Sequence, residues 1–118
     1  MKTNNVILDK SFEFAVRIVK LRKHLITAEN EYILSKQILR SGTSIDAMIK
    51  EAQHAESNAD FIHKLSITLK EANETDYWLM LLHKTEYINK VLYNSLEKNL
   101  SEIIKLLVSI IKTSKMKK

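Results

Sequence analysis

The stretch Leu34-Ser35-Lys36-Gln37-Ile38-Leu39-Arg40-Ser41-Gly42-Thr43-Ser44-Ile45-Asp46-Ala47-Met48-Ile49-Lys50-Glu51-Ala52 decides the fold. At about 100° per residue, Leu34, Ile38, Ile45, Met48, Ile49 and Ala52 share one stripe, the signature of an amphipathic helix. Gly42 is the only glycine of the 118 residues, and the chain has no proline and no cysteine. Turn-rich all-β folds need glycine and proline at their corners, so a sandwich or barrel is excluded. Without cysteine there is no disulfide framework, thiol nucleophile or Cys-ligated metal. One glycine also excludes Walker and Rossmann phosphate loops.

Working outward, the helical pattern predicts four helices over about 9–27, 31–55, 58–84 and 90–114. Asp9 or Ser11 is the expected N-cap of the first, and Ala28-Glu29-Asn30 the turn after it. Ser57 with Asp60 resembles a capping box for the third, and Asn89 caps the fourth. Short connections between helices of ~20–27 residues predict one all-α domain, an antiparallel up-down-up-down four-helix bundle. The N-terminal Met1-Lys2-Thr3-Asn4-Asn5 has no apolar core of a secretory signal, and Lys105 interrupts the apolar window 103–111. A cytoplasmic protein with no membrane partner is therefore expected.

Leu96, Leu100, Ile103, Ile104, Leu107, Ile110 and Ile111 give the fourth helix a broad apolar arc. The first and third helices each carry two stripes. One holds Phe12, Val16, Val19 and Ile26, against a second of Phe14, Ile18, Leu21 and Leu25. The other sets Phe61, Leu65, Leu69, Ala72 and Leu79 against Ile67, Trp78 and Leu81. A monomeric bundle needs one inward stripe per helix, and a second left in water drives association. A homo-oligomer is expected, with Phe14, Ile18, Leu21, Leu25, Ile67, Trp78 and Leu81 at its interface.

The run Gln37 to Ile45, continuing into Ile49-Lys50-Glu51-Ala52, is joined downstream by Asp60-Phe61-Ile62-His63-Lys64-Leu65 and by Leu69-Lys70-Glu71-Ala72-Asn73-Glu74-Thr75-Asp76-Tyr77-Trp78-Leu79. With the Ser11-Phe12-Glu13 opening and the Ile110-Ile111-Lys112-Thr113-Ser114-Lys115 ending, nearly the whole chain resembles the four-helix-bundle family encoded in 23S rRNA intervening sequences. The resemblance implies a ring-like homopentamer with no established enzymatic activity. Accessory variability determinant proteins of diversity-generating retroelements look like relatives, and those bind nucleic acid and a reverse transcriptase. The chain departs from the family pattern at Asp46, where glycine is typical, and at Met48, where asparagine is typical. If those small or polar groups serve subunit packing, the ring geometry differs here.

Chemistry-bearing constellations are few. Arg40 lies beside Ser44, Ala47 and Glu51, with Glu71, Glu74 and Asp76 of the third helix in reach. A structural arginine–carboxylate tie is expected among Arg40, Glu51, Glu71 and Glu74, since those carboxylates repel a phosphate. The Ser41-Gly42-Thr43-Ser44 run sits inside a helical pattern and reads as a close-packing device. Glu51-x-x-His54 and Asp60-x-x-His63 flank one interhelix turn and lack partners elsewhere, because Glu13 and Glu97 occupy polar arcs. No metal site, cofactor or catalytic group is expected there. His24 and His83 read as solvated or helix-end histidines.

Charge is segregated along the chain. Residues 1–27 carry +4, residues 28–57 and 58–88 carry −2 each, and residues 89–118 carry +5. In the expected bundle the first and fourth helices are neighbours, so positive charge collects on one side. Lys98, Lys105 and Lys112 recur every seven residues as a line along the fourth helix. Arg17, Lys20 and His24 cluster on the first, and Lys115, Lys117 and Lys118 extend the line. Such a line displaces condensed counterions along a phosphate backbone. Arg17, Lys20, Lys98, Lys105, Lys112 and Lys115 are the expected contacts to structured RNA or DNA. No aromatic interleaving is present to stack bases. The alternative is a protein-interaction scaffold whose acidic second and third helices dock a partner protein.

Overall fold

The computed structural model describes residues 5–117, and all described secondary structure is helical. The elements are α1 (Asn5–Glu29), α2 (Ile33–Ala52), α3 (Asn58–Lys84) and α4 (Lys90–Lys115). They pack around one apolar cluster in a molecule of 50 × 21 × 20 Å. Each helix touches its chain neighbours, and α1 meets α4 to close the circuit.

Local chemistry accounts for the helix ends. Ser57 accepts a hydrogen bond from the Asp60 N–H at 3.0 Å, and Asp60 in turn accepts from the Glu56 N–H at 3.1 Å. Asn89 Oδ1 accepts from the Leu92 N–H at 2.8 Å. These two starts are the ones expected, because a short polar side chain can satisfy an orphan N–H of the first turn.

The start of α1 is not. Asn5 opens the helix four residues before Asp9, so neither Asp9 nor Ser11 is a cap. Ser11 is instead buried, with its Oγ 3.2 Å from Leu8 O and 3.0 Å from Asp46 Oδ1. The start of α2 shifts from Glu31 to Ile33 because Glu31 stays outside the helix as its anion. Its carboxylate accepts from the N–H groups of Ile33 (3.3 Å), Leu34 (3.0 Å) and Ser35 (2.7 Å). Negative charge at a helix N-terminus also complements the macrodipole.

Asn30 takes a left-handed φ of 54°, which turns the Glu31 N–H back to Leu25 O at 2.9 Å and stops α1. Glu86, with φ 68°, does the same after α3. Asparagine tolerates this region through its short polar side chain; glutamate does so at a cost.

The core holds Ile7, Phe14, Ile18, Leu21 and Leu25 of α1 with Ile38, Ile45 and Ile49 of α2. From α3 come Phe61, Leu65 and Leu79, and from α4 Leu96, Leu100, Ile103 and Leu107. Each fully buried Leu, Ile or Phe contributes about 1.5–3 kcal/mol of hydrophobic stabilisation.

This assignment corrects the interface expected on α1. Phe14, Ile18, Leu21 and Leu25 are at most 4% exposed and offer no surface to another copy. Periodicity finds two stripes but cannot say which turns inward. Gly42 decides it: a methyl there would stand 3.0 Å from both Ile18 Cγ1 and Cγ2, so α2 lies directly on the Ile18 stripe. On α3, Ile67, Trp78 and Leu81 are half-buried, and Trp78 packs against the core.

Candidate nucleic-acid interface

The positive charge gathers where α1 meets α4. Lys98, Lys105 and Lys112 are all exposed, on the side of α4 opposite Leu96, Leu100, Ile103 and Leu107. At 1.5 Å per residue, successive lysines stand ~10.5 Å apart along the helix. Among the described residues, none of the three pairs with a carboxylate. The two acidic residues of α4 leave the line open. Glu102 pairs with Lys10 of α1 at 3.3 Å, and Glu97 is half-buried. Lys20 of α1 and Lys115 of α4 are exposed too, whereas Lys118 lies outside the described residues.

Arg17 differs from the others. Its Nη1 donates to Ser95 O at 3.4 Å and to Asn99 Oδ1, and its Nη2 donates to Ser95 Oγ at 3.0 Å. The guanidinium ties α1 to α4, and the fixed fork of five N–H donors suits it to several acceptors on one helix. Arg17, Lys20 and His24 also rim a cleft of about 200 Å³ floored by Leu21, Leu92 and Leu96.

On the other side of the molecule, the arginine–carboxylate tie forms with two of its expected members. Arg40 donates to Glu71 at 3.3 Å and also to Glu74, which accepts from Trp78 Nε1 at 3.0 Å. The Trp78 bond and then the Arg40 bond and charge hold the Glu74 carboxyl below its usual range. Arg40, chiefly through its Glu74 bond, is pushed further up. Glu51 is exposed and, among the described residues, stands outside this tie. With half of the Arg40 side chain exposed, the pair is a surface device setting the α2–α3 register.

The remaining titratable groups stay dispersed. Among the described residues, no three of His, Asp or Glu come together as a metal set. Asp60 pairs with Lys64 at 2.8 Å, and the Lys64 bond is the main cause lowering its carboxyl. His83 stacks on Tyr93 with centroids 4.6 Å apart, closing the α3–α4 turn. His24 is exposed. No described helix is long and apolar enough to cross a membrane.

Reading residues alone missed three features: the Glu31 cap, the Ser11–Asp46 bond and the anchoring of Arg17. The last had a weak signal, since Ser95 and Asn99 lie one turn apart on α4. The first two are contacts of a particular packing and leave no spacing pattern.

The fold defines a small all-α protein of four packed helices with an exposed basic line on α4. The chain belongs to the family of 23S rRNA-intervening sequence proteins, which it matches over residues 3–109. It is similar to the crystal structure of a protein of unknown function from the S23 ribosomal protein family of Bacteroides thetaiotaomicron. The two share 62% identity over 92% of this chain and 96% of that one, with a TM-score of 0.90. Among curated proteins, none matches the chain.

Proposed function

We propose that this chain forms a homopentamer of up-down-up-down four-helix bundles that binds structured RNA or DNA, without catalysis, in the cytoplasm. The contacts run through the outer faces of α4 and α1. Lys20, Lys98, Lys105, Lys112 and Lys115 meet phosphates, and Arg17 joins them only by releasing α4. The observation that carries the reading is the evenly spaced line of exposed lysines on α4, unpaired among the described residues. Residue pairs whose numbers fall on one helix as they rise on the next support the up-down arrangement. Examples are Ser11–Asp46 with Ile18–Gly42, and Asn58–Ser114 with His83–Tyr93. Family membership supports the pentamer.

Five copies of a weak phosphate-tracking line act together through multivalency. The binding is indifferent to base sequence and weakens with salt, because it rests on counterion release. The test is binding of a labelled structured RNA, with duplex DNA beside it, across a salt series. Affinity that falls steeply with salt, and is lost when Lys98, Lys105 and Lys112 are changed to glutamate in a folded protein, supports the reading. No binding at low salt overturns it and favours the protein-scaffold alternative.

A further inference from the structure

The outer side of α1 carries an apolar seam that the core does not use. Phe12, Val16 and Val19 are 53%, 37% and 39% exposed and follow i, i+4, i+7 spacing. Together with Ala15, Lys20 and Lys23 they line a groove of about 330 Å³. Among the described residues, no other helix exposes three large apolar side chains within two turns. The seam leans toward α2, because the Lys50 ammonium sits 5.0 Å from the Phe12 ring centroid.

On α3, half-buried Ile67, Trp78 and Leu81 form a second apolar edge. It also leans toward α2, because Trp78 and Arg40 share Glu74. The two edges therefore lie on the two faces of the molecule that share α2.

We propose that the α1 seam of one copy docks on the α3 edge of the next, closing a ring with α2 toward the axis and α4 outward. The inference rests on the homo-oligomeric part of the proposed function and goes beyond it by assigning the faces.

Three physical arguments support the assignment. First, a cross-section of 21 × 20 Å with four helices at its corners sets adjacent faces at roughly a right angle. A head-to-tail contact between such faces closes, at about 90° for four copies and about 108° for five, whereas opposite faces would build an open filament. Second, cyclic symmetry permits no shift along the axis, so residues at one height must meet. Ser11 beside Asp46, Ile18 beside Gly42 and Ser41 beside Thr75 fix the heights. They bring Phe12 within a turn of the neighbour's Ile67, and Lys20 level with Trp78 and within a turn of Glu74. Glu71 and Glu74 share the single cation of Arg40, which leaves surplus negative charge opposite Lys20. Third, a side face of this 50 × 20 Å molecule is large enough for the ~800 Å² per partner that a stable interface buries.

The arrangement turns the outer residues of α2, Thr43, Ser44 and Ala47 among them, toward the ring axis. It leaves Lys98, Lys105 and Lys112 on the perimeter, where a nucleic acid would wrap and not thread, and it moves Lys20 from the phosphate contacts into the subunit interface.

Because the chain has no cysteine, introduced thiols are the only ones present. The experiment treats the variants Phe12→Cys, Ile67→Cys and the pair together with a short bis-maleimide. Light scattering is run on the wild type, Val16→Glu and Val108→Glu. The expected result is a ladder from the double variant alone, a wild-type oligomer, loss of that oligomer in Val16→Glu and its retention in Val108→Glu. Dimers from Phe12→Cys alone would mean that α1 meets α1 about a two-fold axis, overturning the assignment. So would an oligomer that yields no ladder, or one that Val108→Glu dissolves and Val16→Glu does not. A monomeric wild type instead removes the oligomeric reading itself.

Discussion

Ser11 Oγ and Asp46 Oδ1 meet at 3.0 Å in the buried seam between α1 and α2. Asp46 is only 8% exposed, and the Lys50 ammonium lies 3.6 Å from its other oxygen. A buried carboxylate needs donors, and here one comes from the facing helix and one from its own. Ser11 supplies the inter-helix partner that makes the buried carboxylate tolerable. Ser11→Ala leaves Oδ1 without its inter-helix donor and is expected to cost about 1–3 kcal/mol. Asp46→Ala removes the charge together with its need for donors. The double variant is therefore expected to lose less than the sum of the singles, measured by urea unfolding.

Gly42 and Ile18 give a second test. Alanine at Gly42 gains up to ~1 kcal/mol of helix propensity, but its methyl enters the 3.0 Å contact with the Ile18 branches. Overpacking of this kind costs about 1–3 kcal/mol, so a net loss near 1 kcal/mol is expected. In an Ile18→Ala background the obstruction is gone, and Gly42→Ala is then expected to stabilise. Thermal unfolding of the four variants reads the change of sign.

These two contacts show what the sequence carried and what it withheld. The boundaries of α3 and the start of α4 were legible because Ser57 and Asn89 act within three residues of themselves. The lysine line was legible for a similar reason, since a seven-residue repeat needs only one helix. Which stripe of α1 faces inward was not, because both stripes are apolar at helical spacing. Only the approach of Gly42 to Ile18 separates them. The role of Glu31 leaves no such local signal: it caps from a buried position before the helix, which glutamate can reach but seldom takes.

Glu74 and Trp78 give a pH-dependent reporter. The indole bond and the Arg40 charge lower the Glu74 carboxyl from its ordinary 4.5. A depressed folded value means that the contribution of Glu74 to stability is fully present above about pH 4.5. It is lost as pH falls through the folded value. Trp78 is the only tryptophan, so its fluorescence should change with a midpoint below 4.5. Glu74→Gln is expected to abolish that transition, and Arg40→Met to move it upward. A midpoint unmoved by either variant would show that some other carboxylate controls the indole.

Arg17 and Lys105 separate structural cations from those that meet phosphate. The Arg17 guanidinium bonds Ser95 and Asn99, whereas Lys105 is exposed and unpaired among the described residues. Arg17→Ala should destabilise the protein by about 1 kcal/mol through loss of the α1–α4 tie, with little change in the salt dependence of nucleic-acid binding. Lys105→Ala should leave stability within ~0.5 kcal/mol and reduce the slope of log K against log salt by ~0.9 per subunit contact on a duplex. Urea unfolding and the salt series, run on the same two variants, give opposite rankings if the division is correct. Equal slopes for both, with unchanged stability in Arg17→Ala, would instead mean that the guanidinium leaves α4 when nucleic acid arrives.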